Sequence, residues 1–120
     1  MKKYHIQNYI RWKNDMSANL RRLPDIPFEQ YSRNELIVKF LPLVENLARK
    51  FSTAQQASGV MSINDLIQEG NYGLCAAVDR IDWDTILEAE DQEKRLKSFL
   101  SKRIRGAIRR GIDVNRGSMR

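Results

Sequence analysis

One cysteine, one histidine and three prolines in 120 residues exclude several classes of protein at the outset. A single thiol, Cys75, rules out an internal disulfide and suits a reducing compartment. The one histidine, His5, lies in an unpatterned segment, and Cys75 has no histidine or basic partner at a usable spacing. No glycine-rich phosphate loop is present either, so catalytic residues, cofactors and an enzymatic role are not expected. Asp79, Asp82 and Asp84 are closely spaced, but spacing alone is weak ground for a metal site, and a solvated helix end is the better account of them. No apolar run approaches the roughly 18 residues that cross a bilayer. Lys2, Lys3 and Arg11 flank a semi-apolar stretch that His5, Gln7 and Asn8 interrupt, which does not make a signal peptide. A cytoplasmic protein with no membrane partner is expected. Convincing strands, internal repeats and low-complexity segments are all missing.

What the chain does have is charge, and the charge is segregated. The net value is +6 and the isoelectric point about 9.7, which points toward a polyanion such as nucleic acid. Residues 82–93 are acidic, with Asp82, Asp84, Glu88, Glu90, Asp91 and Glu93. Residues 94–120 are then almost wholly basic, with only Asp113 opposing. Segregation of this kind builds a positive face.

The length supports one helical domain with a single core. An all-α fold of four to five helices is predicted. Residues 4–22 are loosely periodic through Ile6, Tyr9, Ile10, Met16 and Leu20, and the two prolines of LPDIPF (23–28) end that helix. Ser32-Arg33-Asn34-Glu35 is a capping box. It opens a helix whose apolar stripe is Leu36, Ile37, Phe40, Leu43, Val44, Leu47, Ala48 and Phe51. Pro42 within that stripe should kink or split it. STAQQASGVM (52–61) reads as a polar connector, 63–80 as a third helix, 82–93 as a loop or weak helix, and 92–112 as the last helix. Gly111 or a nearby residue should close it, leaving VNRGSMR as a tail with turn chemistry.

The most informative stretch is 62–83, SINDLIQEGNYGLCAAVDRIDW. Ser62 and Asp65 form a helix-capping signature, followed by an apolar row of Leu66, Ile67, Leu74, Ala77, Val78 and Ile81. The opposite side carries Asp65, Gln68, Glu69, Tyr72 and Asp79. Gly70 and Gly73 each cost a helix about 1 kcal/mol relative to alanine. Two of them three residues apart imply that another backbone comes very close. Whether that backbone belongs to this chain or to a partner, pattern alone leaves open.

The last helix can be read as geometry. Leu96, Leu100, Ile104, Ala107 and Ile108 share one side and face the core. Phe99, Arg103, Gly106 and Arg110 run along the margin of that side, and Arg95, Lys102 and Arg109 lie beyond it. An aromatic ring within a basic row suits single-stranded DNA. Cations hold the phosphates, and the ring replaces lost base stacking, worth about 1–3 kcal/mol per base. Phe99 as a plain edge of the core is the competing reading.

DLIQEGNYGLCAAVDRIDW closely resembles conserved region 2 of bacterial RNA polymerase sigma factors of the sigma-70 family. LVENLARKF (43–51) is similar to the helix that opens that region, and FLSKRIRGAIRR (99–110) to its DNA-facing helix, especially in flagellar, sporulation and phage factors. The likeness covers roughly residues 35–120, while residues 1–34 form an N-terminal helical segment of unassigned role. It implies a promoter-specificity subunit with two partners: bacterial core RNA polymerase, through the coiled coil of the β′ subunit, and promoter DNA including the single-stranded −10 element. For the first partner it implies contacts at Asp65, Gln68, Glu69, Asn71, Tyr72 and Cys75, the last where a larger residue such as methionine is usual. Acidic and amide groups there would meet a basic coiled coil, with Gly70 and Gly73 allowing close approach.

For the second partner the resemblance implies that Phe99 stacks on the flipped non-template adenine. Lys102 and Arg103 stand where housekeeping factors have tandem tryptophans, so weaker intrinsic melting and an altered −10 preference are expected. Arg105, Arg109 and Arg110 fall where the upstream edge of the element is read or clamped. Lys97 and Arg116 complete the expected DNA-binding set. Sigma factors normally carry further domains, and this chain stops at Arg120. It is therefore read either as a fragment or as a minimal, phage-type factor that borrows upstream recognition from a second protein, for which residues 1–34, with Tyr4, Tyr9 and Trp12, are a docking candidate. The same residues packed on the back of the core are the alternative. The rivals in function are a stand-alone basic DNA- or RNA-binding helical protein and a sigma-mimicking regulator of the host polymerase.

Overall fold

In the computed structural model, residues 2–53 and 61–118 are described, with side chains at 7–53 and 61–115. Six α-helices account for nearly all of them: α1 (Lys2–Arg21), α2 (Arg33–Lys39), α3 (Leu41–Thr53), α4 (Ile63–Val78), α5 (Trp83–Glu88) and α6 (Gln92–Ser118), with a single 3₁₀ turn at Phe28–Gln30. No strand occurs among the described residues.

Local chemistry accounts for most of the boundaries. Both capping boxes form. The Ser32 hydroxyl accepts from the Glu35 amide while Glu35 accepts from the Ser32 amide, and Ser62 and Asp65 reciprocate in the same way. Pro42 splits the apolar stripe in two. The break falls at Phe40, which leaves Pro42 in the first turn of α3, where its missing N–H has no partner to lose.

Two expectations are corrected. Four to five helices become six, because the stripe divides and because the acidic stretch holds α5. The Asp82 side chain caps α5 by accepting from the Thr85 amide. The last helix does not close at Gly111 but continues through Arg116, Gly117 and Ser118. Ile112 is buried and adds another turn of core contact, while the Asn115 side-chain amide donates to the Gly111 carbonyl at 2.8 Å. Gly111 is a point of close approach: a Cβ there would lie 2.7 Å from Cγ of Glu69 on α4.

The core is the crossing of α4 and α6, with α3 laid across both and α5 against α6. Val44, Leu66, Leu74, Leu96, Leu100, Ile104 and Ile108 are fully buried there. Gly70 and Gly73 settle the question left open by their spacing. A Cβ on Gly70 would meet Val44 at 2.7 Å; one on Gly73 would meet Ala107 at 2.7 Å, the Arg103 carbonyl oxygen at 3.0 Å and the Ile104 Cα at 3.2 Å. The close neighbours are the chain's own α3 and α6, so these glycines are consumed by internal packing.

The N-terminal segment packs α1 against α2 and α4, with Met16 buried and Tyr9 and Trp12 half-buried on the core. Its polar anchor is Glu45 of α3, only 5% exposed. The Tyr9 hydroxyl donates to this carboxylate, and Lys13 and Arg49 approach it at 3.5 and 3.7 Å. Partial burial first, then the bond to Glu45, pushes the Tyr9 hydroxyl up to about 12.

Candidate nucleic-acid and partner-binding faces

The residues singled out by the sequence fall on two faces of the α4–α6 pair. On α4 the apolar row turns inward, and Asp65, Gln68 and Tyr72 stand exposed on the outside. Gln68 donates to the Tyr72 hydroxyl at 3.3 Å, and the Tyr72 ring is 62% exposed. The other three lie off this line. Glu69, half-buried, turns toward α6 and rests its stem on Gly111. Asn71 and Cys75, also half-buried, share the opposite flank of α4 with Ile67 and Val78. The Oδ1 of Asn71 is buried with no hydrogen-bond partner. At the end of the same helix, Asp79 accepts from the Arg33 guanidinium at 2.5 and 3.1 Å. That pairing holds the Asp79 carboxyl below the usual carboxylate range and raises Arg33.

On α6 the expected DNA-facing residues separate by helix geometry. Phe99, Arg103, Gly106 and Arg110 follow one margin, at spacings of four, three and four, with Lys102 beside them. The Arg103 guanidinium lies over the Phe99 ring, 4.3 Å from its centre. This ring is half-buried: one part packs on the core and the rest borders an open cleft of about 460 Å³ between α5 and α6, which Asp82, Thr85, Arg95, Lys102 and Arg103 also line. Core edge and accessible ring are thus both true of it. Arg105 and Arg109 turn to the outer side, where Arg109 sits 5.9 Å from the Phe51 ring. Lys97 is on the far margin, paired with Glu93 at 3.1 Å. The side chain of Arg116 lies outside the described residues.

A residue missed by sequence reasoning is Arg80. It follows α4 directly and lines a second open cleft, of about 380 Å³, with Gly73, Ala76, Lys102, Arg103, Gly106 and Arg110. The signal was present: Gly73, Ala76 and Arg80 recur at spacings of three and four and so share one face. Four cations and no acidic side chain line this cleft, and none of Arg80, Lys102, Arg103 and Arg110 forms an ion pair among the described residues. No group of side chains that would hold a metal ion, and no helix long and apolar enough to cross a membrane, occurs among them.

Against known families, the model described as sigma-70 region 2 matches residues 36–116. No curated protein and no solved structure matches.

Proposed function

Because the chain belongs to the sigma-70 region 2 family, we propose that it is a promoter-specificity factor, which binds core RNA polymerase through the β′ coiled coil and captures the −10 promoter element. The observation that carries this reading is the pairing of two unlike faces on one helical frame. Asp65, Gln68 and Tyr72 stand out from α4, while a basic margin containing an aromatic ring runs along α6. An acidic and amide-rich face is complementary to a basic coiled coil. Cations flanking a partly exposed ring are complementary to a strand whose bases have left the duplex.

In this reading Asp65, Gln68 and Tyr72 make the first contacts with polymerase, and Glu69 extends that surface toward α6. Asn71 and Cys75 border it on the side of α2 and α3. Phe99 takes the unstacked base, with Arg103 fixed against its ring. Lys102 and Arg110 hold phosphates on the same margin, and Arg105 and Arg109 reach them from the outer side. Lys97, neutralised by Glu93, contributes least. Residues 1–34 serve as a brace for the region 2-like unit (35–120), through Met16, Trp12 and the Glu45 anchor. Cytoplasmic action in a bacterium or an infected host follows from the same reading, as does a second protein supplying upstream recognition.

The test is co-purification with bacterial core polymerase, followed by opening of a promoter fragment. Gln68→Arg is the cleanest variant, because its side chain is exposed and, among the described residues, bonded only to Tyr72. Binding of core by the wild type, with its loss in Gln68→Arg, supports the polymerase-facing surface. Loss of opening in Phe99→Ala, with core binding intact, supports the DNA-facing one. Equal DNA binding by all variants and no binding of core would mark the chain as a stand-alone nucleic-acid-binding protein. Core binding that blocks the host factor without promoter opening would mark it as a regulator.

A further inference from the structure

Gly70, Gly73 and Gly111 each face a neighbour that leaves a side chain no free room, but Gly106 does not. A Cβ on Gly106 would come no closer than 3.5 Å to anything, the nearest atom being a guanidinium nitrogen of Arg110, which is ordinary van der Waals contact. Packing within the chain therefore gives no reason for glycine at this position, in the middle of a 27-residue helix, where glycine is the poorest residue short of proline. What surrounds Gly106 is the open cleft between α4 and α6, walled by Arg80 from one helix end and by Arg103 and Arg110 from the other helix.

We propose that Arg80, Arg103 and Arg110 form a seat for a phosphodiester of the bound nucleic-acid strand, and that the strand's own backbone occupies the space above Gly106. The inference rests on the promoter reading above and adds to it a second helix as a DNA contact and a bare stretch of protein backbone as the floor. Three arginines lining one open cleft, with no carboxylate among its lining residues to neutralise them, attract a group that carries charge and offers several acceptor oxygens. The cleft is open along its length, which suits a segment of polymer better than a small molecule enclosed on all sides. Arg103 also ties the seat to Phe99, whose ring it covers. A base stacked at Phe99 and the neighbouring phosphate over Gly106 thus share one arginine. Each methyl or methylene group placed on Gly106 would lift the strand off that floor while leaving the fold untouched.

The test uses the full chain assembled on core polymerase, with a labelled single-stranded −10 oligodeoxynucleotide as probe. Gly106→Ala is expected to raise the melting temperature of the chain by roughly 3–6 °C, since it improves the helix, and yet to weaken oligonucleotide binding about tenfold. Arg80→Gln is expected to leave melting unchanged, to weaken binding, and to lower the slope of log affinity against log salt by about one phosphate contact. Arg22→Gln, which removes the same charge at the end of α1, should change the slope far less. A Gly106→Ala chain that binds as tightly as wild type, or an Arg80→Gln chain with an unaltered salt slope, overturns the seat while leaving the promoter reading in place. A wild-type assembly that binds no oligonucleotide overturns both.

Discussion

Two helix pairs in this molecule are joined by opposite means. Where α4 crosses α6, contact is between backbones: Gly73 lies under Ala107 and the Arg103 carbonyl, and Gly111 lies under the stem of Glu69. Where α1 meets α3, contact is between long side chains, with Tyr9 and Lys13 reaching a buried Glu45 that Arg49 also approaches. The first kind of joint depends on shape and, at Gly73, leaves an added atom no room that the facing backbone could yield. The second depends on charge and hydrogen bonding and yields to substitution more gradually. The joint that carries the proposed binding faces is the close-fitting one, and the joint that attaches the N-terminal segment, outside the family match, is the adaptable one.

The sharpest way to break that contrast is Gly73→Ala. The new methyl group would press on a carbonyl oxygen and a Cα, which cannot swing aside, so overpacking should outweigh the gain in helix propensity by about 2 kcal/mol. A fall of roughly 8 °C in melting temperature is expected, measured by circular dichroism. An unchanged or higher value would show that α4 and α6 adjust freely. Glu45→Ala comes next. Lys13 and Arg49 are partly exposed and rehydrate, so the loss should be about 1–2 kcal/mol. Hydrogen exchange should show it chiefly in α1, with the amides of α6 protected as before.

The same joint has a pH signature. Because the folded Tyr9 hydroxyl titrates near 12 rather than 10, its contribution is complete below pH 10 and is lost as pH rises toward 12. Wild type should therefore lose stability relative to Tyr9→Phe across that interval and not below it. The smallest effect belongs to the exposed Arg33–Asp79 pair. Asp79→Asn should leave the melting temperature within about 1 °C at neutral pH. The folded carboxyl titrates below its ordinary range, so whatever the pair contributes is present above that range and disappears as pH falls through the folded value.

Much of this was legible in the sequence, and for local reasons. Capping boxes at Ser32 and Ser62 and the proline in the middle of an apolar stripe act within one turn of chain, so they could be read without knowing the fold. The inward row of α6 and the margin from Phe99 to Arg110 follow from helix periodicity alone. What escaped depended on which element lies opposite. Gly111 has the composition of a helix end, but Glu69 sits over it and Ile112 beyond it is buried, so the helix runs on. Gly70 and Gly73 announced a close neighbour without saying whose. Arg80 was passed over because the cleft it lines exists only once α6 lies beside α4. In the candidate site, periodicity also divides the basic residues of α6, since Lys97 and Arg105 share a segment with Phe99 but not a side of the helix; what spacing within one helix could not show was the cleft that α4 completes.

The glycine-lined crossing also limits how this protein can move. With Ala107 and the Arg103 carbonyl seated on Gly73, and the Glu69 stem on Gly111, sliding α4 along α6 by a turn would drive side chains into backbone, so shear between them is blocked. The outward side of α4 and the margin of α6 are then held at one separation and one angle, occupied or empty. A partner arriving at either meets a surface already set, and the ordering cost that a pliable pair would incur on association has been met during folding.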